Sequence, residues 1–86
     1  MMKKVLVKWL DIVGYDQGWL SLDEAREYRP SLCQTYGWVL VENESYITVV
    51  STLSIGTQGC EDTVDGLHVI PMGVVVSITE IAERES

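Results

Sequence analysis

The stretch Tyr36-Gly37-Trp38-Val39-Leu40-Val41, then Glu42-Asn43-Glu44-Ser45, then Tyr46-Ile47-Thr48-Val49-Val50-Ser51-Thr52-Leu53 carries the strongest β signal in the chain. Its two long segments are rich in β-branched and aromatic residues, which suit a pleated, half-buried surface, and the polar insert between them reads as a turn. A hairpin is predicted. Upstream, Lys3 to Asp11 reads as a strand with Val5, Val7 and Trp9 on one side and Leu6, Lys8 and Leu10 on the other. Downstream, Gly66 to Pro71 is a fourth strand, ended by a proline that cannot donate to a ladder, and Val74 to Ile81 is a fifth. Ser54 to Asp65, with Gly56 and Gly59, is a loop.

The link between the first strand and the hairpin is different. Asp11 to Trp19 is a loop punctuated by Gly14 and Gly18, followed by the capping box Ser21-Leu22-Asp23-Glu24. In such a box Ser21 accepts from the Glu24 amide while the Glu24 side chain reaches back to the Ser21 N–H. Pro30 disfavours helical geometry at Arg29, so a helix of about two turns is expected over Leu22–Tyr28, closing one end of the fold. Five short strands and one short helix predict a single mainly β domain over residues 1–86, built as a five-stranded, strongly bent antiparallel barrel. A flat open sheet would leave edges with few guards beyond the amino-terminal lysines.

Length and charge bound the function. Eighty-six residues allow one domain, and 47% hydrophobic with 22% charged side chains is a globular composition. A folded chain of this mass exposes about 5,100 Å² against about 14,000 Å² unfolded, enough burial for one modest core. The net charge of −7 counts against binding a nucleic-acid backbone, whose affinity rests on Lys and Arg. That charge is uneven: residues 1–10 carry +3, whereas residues 11–60 and 61–86 carry −5 each. The apolar run after Lys3 and Lys4 is only Val5-Leu6-Val7, too short for a secretory signal, and no stretch is long enough to span a membrane. Cys33 and Cys60 stand far apart without a C-x-x-C, so reduced thiols and a cytoplasmic location are expected.

Several short motifs carry a resemblance. The order Trp9-x-Asp11, Gly18-Trp19, a short acidic helix, Cys33-x-x-x-Gly37-Trp38, and finally Ile70-Pro71-x-Gly73-x-Val75-x-x-Ile78 resembles a group of short phage and prophage proteins. The match spans most of residues 5–81. Where related sequences usually carry a basic residue between that proline and glycine, this chain has Met72. The strand order also resembles Sm-like and SH3-like barrels, although the helix here falls between the first two strands. The resemblance implies a phage origin and no particular reaction.

Catalysis has little to draw on. His68 is the one histidine, and no motif gathers it with Cys33, Cys60 or Asp65 into a nucleophile and base. No ligand spacing suits a metal, and neither G-x-G-x-x-G nor a Walker lysine is present. A non-enzyme without cofactor or metal is expected. The aromatics say more. Trp9 and Trp38, in strands, are expected in the core, whereas Tyr15 and Trp19 sit in a glycine-flanked loop where flat faces can meet a partner. The candidate ligand-binding set is Tyr15 and Trp19 with Arg26 and His68. Two functional classes follow: a phage-encoded counter-defence module sequestering a nucleotide-like host signalling molecule, or an inhibitor binding a host protein through an acidic face or sheet edge. An accessory role in virion morphogenesis is a third. A homo-oligomer is expected as well, because Val74, Val76 and Ile78 alternate with Val75, Thr79 and Ile81 and give the last strand two apolar sides.

Overall fold

The computed structural model describes residues 2–56, 59 and 61–82. Its elements are β1 (Lys4–Asp11), α1 (Leu22–Arg26), β2 (Ser31–Glu42), β3 (Tyr46–Ser54), β4 (Thr63–Pro71), a 3-10 turn at Met72–Val74 and β5 (Val75–Ile81). All five strands lie in one antiparallel sheet in the order β4-β3-β2-β1-β5. The mainly β reading and the strand count therefore hold. The sheet is open, because β4 and β5 are its two ends and do not pair with each other.

The decisive hairpin forms where the sequence places it. Asn43 makes the turn: its Oδ1 accepts from the amides of Ser45 at 2.8 Å and Tyr46 at 2.9 Å, while its own N–H donates to the Tyr46 carbonyl at 3.1 Å. Asparagine serves here because a short side-chain carbonyl can stand in for a backbone acceptor. The Met72 N–H donates to the Ser45 carbonyl at 2.9 Å, tying the 3-10 turn to the same corner.

The core sits inside a curl. Val5 and Val7 of β1 share one buried cluster with Ile47 and Val49 of β3 and Ile70 of β4, although β2 lies between β1 and β3. Strands two apart in a flat sheet are roughly 9.5 Å apart with parallel side chains, so those valines meet only if the sheet folds over. Gly37 of β2 shows where it folds. A Cβ there would lie on the Val50 carbonyl oxygen and 2.7 Å from Val49 Cγ1, so β3 crosses over this residue rather than beside it. Two bulges assist by increasing local twist, one between Val39 and Val41 and one between Lys8 and Trp9 on the β5 side.

Four expectations need correction. The helix covers Leu22–Arg26 rather than Leu22–Tyr28, and it buries none of its residues, so it closes no end of the fold. The Glu24 carboxylate accepts from the Ser21 hydroxyl at 3.0 Å instead of reaching the Ser21 N–H, although Ser21 Oγ does accept from the Glu24 amide at 3.1 Å. Trp38 is half-buried on the face opposite the main cluster, paired with the fully buried Val50, and the Lys4 ammonium stands 5.3 Å from its ring centroid. Trp9 does pack against the core, with its indole N–H donating to Thr35 Oγ1 at 2.9 Å. Finally, β5 divides its apolar residues otherwise than by strict alternation. The register shift opposite Lys8 and Trp9 lets Val75 and Ile78 both pack on the core, leaving Val76 exposed between them.

The molecule is extended for its length. It measures 60 × 29 × 25 Å with a radius of gyration of 17.5 Å, where a compact 86-residue chain has about 12 Å. It exposes 6988 Å², well above the roughly 5,100 Å² of a compact chain of its mass.

Candidate functional site

Residues 12–30 form an arm that leaves the sheet where Asp11 of β1 pairs with Ser31 of β2. Every residue of this arm is exposed except the partly buried Leu20. Gly18, with φ of 129°, adopts a backbone conformation open to glycine, which turns the chain just before Trp19. The capped turn of α1 then brings Tyr28 back to Tyr15, their ring centroids 6.0 Å apart and tilted by 52°. The arm is thus a short folded projection, stitched by local contacts, with every side chain but Leu20 left exposed.

Its side chains are the wrong kind for a solvated loop. Trp19 is 102% exposed, Ile12 92% and Leu22 72%. Burying an aliphatic or aromatic side chain of this size is worth about 1.5–3 kcal/mol, and none of that is gained within the chain. The arm is also acidic, with Asp16, Asp23, Glu24 and Glu27 against Arg26 and Arg29. Both cations are engaged: Arg26 bridges to Asp23 at 3.4 Å, and Arg29 donates to the carbonyls of Arg26 at 2.9 Å and Tyr28 at 3.2 Å. A hollow of about 400 Å³ on the arm is lined by Glu24, Glu27, Tyr28 and Arg29, so carboxylates outnumber cations around it.

Three of the four residues expected to form a site, Tyr15, Trp19 and Arg26, lie on this arm. His68 does not. It is an exposed residue of β4 that pairs with Val49, and Val49 pairs with Val39 of β2. Val39 stands eight residues along β2 from the root of the arm, about 26 Å at strand rise, before the lateral offset is added. The His68 Nδ1 lies 3.3 Å from the Gly66 carbonyl, which accepts when that nitrogen carries the proton. Cys33 is a free, half-buried thiol, and the expectation for Cys60 lies outside the described residues. Among the described residues no three His, Cys, Asp or Glu side chains gather as a metal site. No described helix is long and apolar enough to cross a membrane.

A second surface escaped the sequence reading. The sheet face opposite the core carries the cross-strand pairs Leu10–Leu32 and Leu6–Tyr36, together with Lys4 and Lys8. Leu32 is 57% and Tyr36 55% exposed. The signal was present: Leu6 and Leu10 make β1 apolar on both sides, which a strand with one solvated face would not be. No protein-family model matches the chain, and no curated protein or solved structure matches it either.

Proposed function

We propose that the chain is a non-enzymatic protein-binding module whose docking element is the arm of residues 12–30. The observation that carries this reading is the full exposure of Trp19, Ile12 and Leu22 on one projection that its own sheet leaves uncovered. Large apolar side chains left exposed together on one segment point to an interaction site, and aromatic anchors of the Trp and Tyr type dominate interface energetics. The acidic rim selects a partner with a basic, apolar surface through charge complementarity.

A nucleotide-like ligand stacked on Trp19 is the competing reading, and the electrostatics disfavour it. A phosphate needs a local excess of positive charge, whereas Arg26 is already paired with Asp23 and Arg29 stands beside Glu24 and Glu27 on an arm with four carboxylates and two guanidinium groups. Within the proposal, the curled sheet is a partly open barrel of the SH3-like or Sm-like kind. The strand order, the 3-10 turn between β4 and β5 and the shared core of β1 and β3 support it. The phage counter-defence setting and cytoplasmic location come from the sequence resemblance and composition, and both fit a small binder without chemistry.

The test places a photo-reactive phenylalanine analogue at position 19 of the full chain, expressed in bacteria and irradiated. A protein adduct of discrete mass that disappears with Ile12→Ser and Leu22→Ser is expected. No protein adduct, or a nucleotide that raises the melting temperature in a Trp19-dependent way, overturns the reading.

A further inference from the structure

We infer that the partner of the arm is a second copy of this chain, and that the arm docks on the sheet face carrying Leu6, Leu10, Leu32 and Tyr36. The inference rests on the protein-binding reading above and gives it a partner. The two surfaces are complementary in chemistry. The arm presents Ile12, Trp19 and Leu22 among Asp16, Asp23, Glu24 and Glu27; the face presents leucines and a tyrosine among Lys4 and Lys8. Among the described residues the salt bridges are Lys3–Glu42 and Arg26–Asp23, so the Lys4 and Lys8 ammonium groups on this face have no carboxylate. Acid-rimmed apolar groups thus meet a base-flanked apolar face, and both are present on every copy.

The chain has surface to spare for such an interface. The chain exposes 6988 Å², roughly 1,900 Å² beyond a compact chain of its mass, whereas a standard interface hides about 800 Å² per partner. The arm leaves its own sheet at the Asp11–Ser31 end, beside its own Leu10–Leu32 pair, and does not fold back onto it. Two copies related by a two-fold axis can exchange arms, each covering the other's face, which closes the assembly as a dimer. Two identical contacts then form at once, the second at the high effective concentration set by the first.

The test uses sedimentation equilibrium on the full chain at 20 µM. Wild type should run at twice 9.7 kDa. An arm variant, Trp19→Ala, and a face variant, Leu32→Glu, should each run as monomers, with dissociation weakened about thirtyfold per lost anchor and twice over in a symmetric dimer. Lys8→Glu provides a second face variant that leaves the apolar contacts in place. Unchanged far-ultraviolet circular dichroism shows that each variant is folded. The deciding sample mixes the Trp19→Ala and Leu32→Glu chains: one intact arm and one intact face remain, so a heterodimer should reappear at high micromolar concentration. A monomeric wild type, or a mixture that stays monomeric while wild type dimerises, overturns the inference. In the photo-crosslinking test an adduct of twice the chain mass agrees with it, whereas an adduct of another discrete mass overturns it and leaves the protein-binding reading standing.

Discussion

Replacing Gly37 with alanine should destabilise the protein, and the sign of that effect tests the curl of the sheet. On backbone propensity alone the change would help, since glycine inside a strand costs roughly 0.5–1 kcal/mol relative to alanine. The geometry says the reverse. The added Cβ would meet the Val50 carbonyl oxygen, with the Val50 carbonyl carbon at 2.8 Å and Val49 Cγ1 at 2.7 Å. Ordinary carbon contacts are about 3.5–4.0 Å, so β3 would have to move by about 1 Å at a point where its Val49 is fully buried. Overpacking of this kind costs about 1–3 kcal/mol, and a backbone neighbour puts it near the top of that range. Less the propensity gain, the net loss is about 2 kcal/mol, or about 8–16 °C in melting temperature for a domain of this size. Thermal melts at one fixed protein concentration measure it, because self-association would otherwise shift the midpoint. A Gly37→Ala protein that melts at or above wild type would refute the crossing of β3 over β2.

Other substitutions separate core, strain and arm. Ile47→Ala removes a fully buried side chain and should cost about 2–5 kcal/mol by urea unfolding, with an unchanged slope. Gly66→Ala should destabilise even though the strand there is near an edge, because φ is 70° and the new Cβ would lie on Ser51 Oγ. Trp19→Ala should change the unfolding free energy of the isolated chain by less than about 0.5 kcal/mol, whereas Trp9→Ala should lose about 3 kcal/mol; equal effects would contradict the placement of the two indoles. Lys3 has its pKa raised above 10.5 by a hydrogen bond from its ammonium to Glu42 and by that carboxylate's charge. A raised folded value stabilises below the unfolded pKa and is lost as pH climbs through the folded one, so the contribution of Lys3 is lost in strong alkali. Glu42→Gln should bring the Lys3 titration seen by NMR back toward 10.5.

The strands were legible where one local signal dominated. Asn43 and its polar neighbours marked the β2–β3 turn, and Ser21 with Glu24 marked the start of α1. Boundaries failed where long-range pairing decides. Ser31 to Thr35 joined β2 only because Leu32, Cys33, Gln34 and Thr35 find partners on β1, and Gly66 looked like a strand start although it lies inside β4. The two sides of β5 were misjudged because alternation counts residues, and the bulge opposite Lys8 and Trp9 adds one. Tyr15, Trp19 and Arg26 lie on one arm simply because they are close in sequence, whereas the distance of His68 from it depends on a register across three strands. The leucines of the face were visible in β1, but their exposure became clear only once Val5 and Val7 were fixed on the inner side.

Hydrogen exchange of residues 12–30 in the full chain, measured at 50 µM and at 0.1 µM, reads out directly whether the arm docks on a second copy. Alone, this arm has few backbone hydrogen bonds beyond the single capped turn of α1, so its other amides should exchange at nearly unstructured rates. Docked on a second copy, the peptides containing Ile12 and Trp19 should be protected at 50 µM and lose that protection on dilution. Amides of β3 should stay protected at both concentrations. Arm amides that exchange freely at 50 µM, with β3 protected as before, would contradict that docking.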